Sequence, residues 1–230
     1  MNYFFYILLG ILPSVIWLFY YLRKDANPEP KLLVLKIFFW GMASALPAVF
    51  IEKGFFEALK KFSLSPNSAI ILNTFLGIAL VEETLKYLVV RSKMLNHPEF
   101  NESIDAMLYM IIAALGFAAS ENILILLQLA STFPFSQTFF VLLLRFWGAT
   151  FLHALCSAIV GFALAFSFLQ YKQEKFRLIG PALLIAIFLH GLFNFFIIKG
   201  GLEVFIPISI LILLTFFVSW GLKRLKRLTI

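Results

Sequence analysis

The sequence predicts an all-α, polytopic membrane bundle of about seven transmembrane helices. Three observations carry that prediction. Hydrophobic residues make up 62% of the 230 positions, charged residues only 13%, and phenylalanine alone occurs 29 times; the mean hydropathy is +0.95. A soluble domain is about half apolar and a quarter charged, so no aqueous core hides this excess. Seven apolar runs also lie near the ~20 residues that a helix needs to cross hydrocarbon. Finally, the runs are continuous, without two-residue alternation, and helix satisfies every backbone group inside lipid.

The runs cover residues 3–22, 32–51, 69–90, 104–129, 137–169, 179–198 and 204–222. In the first, basic residues follow the apolar stretch and no small-residue cleavage site appears, so it reads as an uncleaved anchor. Residues 52–62 mix aromatics and charges at helical spacing, which predicts a short interfacial helix on the outer surface. The fifth run exceeds a simple crossing and is expected to tilt or project into water. No linker, repeat or low-complexity segment interrupts the chain, so residues 1–230 read as a single domain.

A net charge of +7 would suggest nucleic acid for a soluble protein. Here its distribution sets orientation instead, and no nucleic-acid partner is expected. One set of connections carries 12 Lys and Arg, including Arg23, Lys24, Lys31, Arg91, Lys93, Lys172, Lys175, Arg177 and Lys223. The opposite set carries 4, namely Lys53, Lys60, Lys61 and Lys199. By the positive-inside rule the N-terminus lies outside and the C-terminus in the cytoplasm, in a multi-pass protein of the cell (inner) membrane. The single Cys156 excludes an intrachain disulfide.

Against this apolar background the polar residues within spans stand out. Glu82, Glu83 and Lys86 share one turn of the third run. Each ionised group at mid-membrane costs about 2.5–3.5 kcal/mol on insertion scales, so packing alone is a poor reason for three together. Lys86 follows Glu82 by four residues and Glu83 by three, so it can neutralise either. The fourth run carries Glu121 and Asn122 after a small-residue patch, Gly116 to Ser120, that admits a close neighbour. By rise per residue, Glu121 is expected nearer the outer surface than Glu82, away from direct contact. In the fifth run Arg145 reads as a snorkelling or pairing residue and Ser157 as a backbone-bonded hydroxyl. His153 is the stronger candidate there, because an imidazole is cheap to bury and still passes protons. His190 and Asn194 in the sixth run share a helix face, as two donors for a developing oxyanion would.

Several chemistries are excluded. The only aspartates are Asp25, in a loop, and Asp105, at a span edge, so no intramembrane aspartyl pair exists. The His-Glu-x-x-His zinc motif, the Gly-x-Ser-x-Gly elbow and a phosphate-binding glycine loop are all missing. Glutamate, two histidines and an amide remain, a set that can activate water directly.

Val81-Glu82-Glu83-Thr84-Leu85-Lys86 resembles the Glu-Glu-x-x-Lys motif of the PrsW family of membrane proteases. The stretch Gly116 to Asn122, His153, and His190-x-x-x-Asn194 resemble its further marks in the same order, and Asn27-Pro28-Glu29-Pro30 is similar to a Pro-Glu-Pro element in its first cytoplasmic loop. The likeness covers residues 23–200 and extends to the related CAAX prenyl proteases. It implies hydrolysis of a peptide bond in a membrane-anchored protein, without metal or cofactor. Glu82 would be the base for water, with Glu83 bracing it. His153 would assist, His190 and Asn194 would form the oxyanion hole, and Lys86, Glu121 and Asn122 would support. Family members are associated with cleaving a single-span anti-sigma factor. The alternatives are a CAAX-type prenyl-protein endopeptidase, a metal-dependent membrane hydrolase ligated by the histidines and glutamates, and a proton-coupled carrier.

Overall fold

A computed structural model describes residues 3–25, 27–169 and 177–228. Lys172 and Lys175, counted above for orientation, lie outside the described residues. Among the described residues every regular element is helical: α1 (Tyr3–Leu22), α2 (Lys31–Leu59), α3 (Pro66–Leu72), α4 (Leu80–Lys93), α5 (Ser103–Ala130), α6 (Phe135–Trp147), α7 (Ala149–Leu169), α8 (Ile179–Lys199) and α9 (Phe205–Lys226). Two short pieces join them, a π-helical stretch at Asn73–Ala79 and a 3-10 turn at Gly201–Val204. Taken with their junctions these give seven helices long and apolar enough to cross a membrane.

Local chemistry explains where the helices start. Ser65 caps α3 by accepting from the Ser68 amide at 3.2 Å, and Pro66 follows at the first helical position, where its missing N–H costs nothing. At the head of α5, Asp105 accepts from the Glu102 amide at 2.7 Å and the Asn101 amide at 3.0 Å. These bonds satisfy donors that would otherwise be orphaned at a membrane surface.

Two expectations need correction. Residues 52–62 do not form a separate surface helix, because α2 runs unbroken for 29 residues through Leu59. At 1.5 Å per residue that is about 43 Å, long enough to cross hydrocarbon and stand above it. The apolar run of 137–169 does not tilt as one rod. It breaks at Gly148, whose φ of −101° and ψ of −96° lie outside the helical well. Trp17 marks that break from α1: its indole N–H donates to the Phe146 carbonyl at 3.0 Å, and its ring stacks on Phe151 at 4.1 Å.

α5 is the axle of the bundle. Every residue from Ser103 to Ala119 is buried, packed by α1, α2 and α7. Small residues make the closeness possible. A Cβ on Gly41 would lie 2.1 Å from the Ala113 carbonyl oxygen, and one on Gly116 would lie 2.0 Å from that of Phe38. In contrast, Phe4, Phe50, Leu184, Leu213 and Phe216 point outward, as lipid-facing residues do.

Candidate active site

Four helices meet at one buried polar cluster. α4 supplies Glu82, Glu83 and Lys86, α5 supplies Glu121 and Asn122, α7 supplies His153 and Ser157, and α8 supplies His190. The convergence rests on the close α5–α2 and α5–α7 seams. Gly161, for example, sits where a Cβ would come within 2.6 Å of the Met107 backbone.

The Lys86 ammonium is the hub. It donates to Glu83 Oε1 at 2.7 Å and Glu82 Oε2 at 3.1 Å, and meets His153 Nδ1 at 2.7 Å. The Phe117 ring lies 4.6 Å away, adding a cation–π contact. An ammonium has only donors, so His153 Nδ1 must accept and the ring proton sits on Nε2. That Nε2–H donates to Glu121 Oε2 at 2.8 Å. His190 Nδ1 pairs with Glu83 Oε1 at 2.9 Å, and the two imidazoles stand edge to face with centroids 5.0 Å apart.

The adjacent glutamates have different surroundings. Glu83 is fully enclosed and holds Lys86, His190 and, at 3.2 Å, the Ser157 hydroxyl. Glu82 keeps 3% exposure. Its Oε2 faces Lys86, with His153 Nδ1 at 3.6 Å and His190 Nε2 at 3.9 Å. Among the described residues its second oxygen bonds to nothing. Of the pair, Glu82 has an oxygen to offer a water.

Several positions differ from expectation. Glu121 was expected away from direct contact, yet it touches His153. Side chains tilt toward a helix's N-terminus, and in α5 that direction lowers the carboxyl onto the histidine. Arg145 takes the pairing rather than the snorkelling role expected of it, bridging Glu121 at 3.0 Å and donating from Nε to Asn122 Oδ1 at 2.6 Å, while the Asn122 amide donates to Thr150 at 2.9 Å. The Ser157 hydroxyl donates to a carboxylate rather than to backbone. Asn194 lies half-buried one turn beyond His190, and among the described residues its amide has no hydrogen-bond partner. A neutral His190 that donates from Nδ1 to Glu83 leaves an acceptor at Nε2, so it becomes an oxyanion donor only on taking a second proton.

Sequence reasoning missed Glu52. This residue of α2 is half-buried and lies within electrostatic range of Glu82, Glu121 and Lys86. A signal was present: Ala45, Ala48, Glu52 and Phe55 recur at helical spacing, with an acid interrupting an otherwise apolar contact face.

Glu82, His153 and His190 each offer a ligand atom, all within 4.8 Å of one another. That spacing and donor set suit a tetrahedral divalent ion with one open position. The charge does not. Lys86 already stands 2.7 Å and 3.1 Å from two of the three donors, and His153 directs its other nitrogen to Glu121. A metal would require the ammonium to leave, so the cluster as arranged does not fit one.

Comparison with known proteins agrees with this architecture. The family described as "PrsW family intramembrane metalloprotease" matches residues 29–221. Protease PrsW of Oceanobacillus iheyensis is 31% identical over 220 residues, covering 95% of this chain and 93% of the relative. Protease PrsW of Geobacillus kaustophilus is 30% identical over 82% of this chain and 78% of its own length, and that of Bacillus subtilis 26% identical over 95% and 93%. No solved structure matches. A family match over most of the chain, and relatives aligned almost end to end, join seven membrane helices around a glutamate–histidine cluster: this chain belongs to the PrsW family of intramembrane proteases.

Proposed function

We propose that the protein hydrolyses a peptide bond in a membrane-anchored protein with water activated by Glu82, inside one domain spanning residues 1–230. The observation that carries this is the asymmetry between neighbours: Glu83 is saturated by Lys86, His190 and Ser157, whereas Glu82 engages only Oε2, which faces Lys86 and both imidazoles, and among the described residues its other oxygen accepts no hydrogen bond. Glu82 takes a proton from water as the oxygen attacks the carbonyl carbon. The proton passes to His190 Nε2, 3.9 Å from the Glu82 carboxylate. His190, then cationic, joins the Asn194 amide in stabilising the oxyanion and returns the proton to the leaving amine as the C–N bond breaks. Glu83 fixes the His190 tautomer, and His153, held by Glu121, keeps Lys86 against both carboxylates. Asn122 braces Arg145 at the edge of the cluster. The N-terminus lies outside and the C-terminus in the cytoplasm. A single-span anti-sigma factor is the finer substrate proposal that the family resemblance carries.

Glu82→Gln keeps shape and removes the base, so cleavage of a reconstituted membrane substrate is expected to fall at least 10²-fold, the lower end of what general-base catalysis contributes. Full turnover by that variant would sink the proposal. A second reading, metal-assisted hydrolysis, draws on the 4.8 Å donor triad. It requires chelation to stop turnover and a stoichiometric ion in the purified protein; the glutamate reading expects activity to survive chelation.

A further inference from the structure

Glu52 takes no part in the machinery just described, yet packing places it directly above. Ala45 and Ala48 on α2 form a small apolar cluster with Phe117, against which Val81 and Leu85 pack. One turn beyond Glu52, Phe55 reaches the π-helical stretch, where a Cβ on Gly77 would meet its ring at 2.7 Å. The two contacts bracket Glu52, and α2 runs antiparallel to α4. Glu52 therefore stands beside the first turn of α4, at the outer side of Glu82.

Lys86 is engaged by Glu82, Glu83 and His153, and Arg145 by Glu121 and Asn122. Among the described residues no cation pairs with Glu52. The cluster is also open on this side. Glu83 and Lys86 are sealed, whereas the side chains of Glu121 and Arg145 keep 29% and 15% exposure, and no packed seam joins α2 to α6. A peptide that entered between those helices would approach Glu82 past the Glu52 carboxylate.

We propose that Glu52 is a specificity determinant that selects substrates with a lysine or arginine side chain next to the scissile bond, on the side toward the outer membrane surface. The inference rests on peptide hydrolysis at Glu82. A cationic side chain supplies the missing partner where the dielectric is low, and opposite charge at a partly desolvated position raises discrimination more than at an open surface. The choice is informative because basic residues are sparse on the outer flank of membrane spans. A requirement for one there would admit few proteins.

The test uses full-length protein in nanodiscs and a membrane-peptide series carrying Lys, Ala or Glu at the positions flanking the cleaved bond. The wild type is expected to favour Lys over Glu at one outer position by about tenfold in kcat/KM, the effect of a single well-placed charge. Glu52→Gln should bring that ratio within about twofold of unity, and Glu52→Lys should invert it. Each ratio is internal to one preparation, so a partly unfolded variant does not distort it. Equal turnover of the Lys and Glu peptides by the wild type, or an unchanged ratio in either variant, overturns the proposal. Cleavage of the Ala peptide by the wild type and its loss in Glu82→Gln report separately on the hydrolytic reading.

Discussion

Lys86 has no exposed surface, and its ammonium neutralises two carboxylates while fixing a histidine tautomer. Removing one partner of a buried ion pair strands the other charge, which costs on the order of 3–5 kcal/mol. Lys86→Met should therefore lower unfolding stability in detergent by about that amount. Adding Glu83→Gln, which removes one of the two stranded charges, should recover part of the loss. A single variant as stable as the wild type would show that the ammonium is dispensable. Glu29, in the loop before α2, poses a second question of charge. Burial pushes its carboxyl up from 4.5 to about 8, helped by Asp105 and Asp25 and opposed by the hydrogen bond that the Tyr109 hydroxyl donates. The folded protein thus holds this proton where the unfolded chain has released it. Glu29's contribution is complete below about pH 4.5 and is lost as pH rises toward 8. Melting temperatures from pH 5 to 8.5 should fall less steeply in Glu29→Gln than in the wild type.

At the scale of elements, Glu82, Glu121 and His153 are placed by how closely α4 and α7 approach α5, while α8, which carries His190, packs on α7 and α4. The α2–α5 seam tolerates nothing larger than hydrogen at two points, Gly41 and Gly116. Overpacking a rigid interior costs about 1–3 kcal/mol, and here backbone carbonyls rather than side chains would have to move. Gly116→Val is expected to lower the melting temperature measurably and to reduce turnover further, since Glu121 lies five residues along the same helix. Unaltered melting and turnover would show that the seam has slack. The third span shows another dependence. Its π-helical stretch packs Phe75 against Gly191, one residue from His190. Such widened turns are rare and cluster at functional sites, but no periodicity in residues 73–79 announces one.

For the whole molecule, the positive-inside rule predicts the orientation from charges at the helix ends. Cysteines substituted for Lys61 and for Arg224 should react with impermeant thiol reagents from opposite faces of sealed vesicles, with Arg224→Cys protected in intact cells. Labelling of both from the same face would overturn the odd number of crossings. The native Cys156 is buried and should not interfere. The amino-acid sequence alone determined the bundle, the number of apolar helices and five members of the cluster, Glu82, Glu83, Lys86, His153 and His190. Hydropathy is summed along the chain, and an ionisable residue in an apolar run is visible wherever it points. Only the tertiary structure decided which groups meet: that Glu83 is saturated while Glu82 is not, that Glu121 reaches His153, that Arg145 pairs with it, and that Glu52 comes within electrostatic range. Those outcomes depend on which faces meet across helices up to 107 residues apart in sequence, as for His190 and Glu83. No spacing within a single helix encodes such a meeting, because helix crossing is set by small residues and backbone contacts on several segments together.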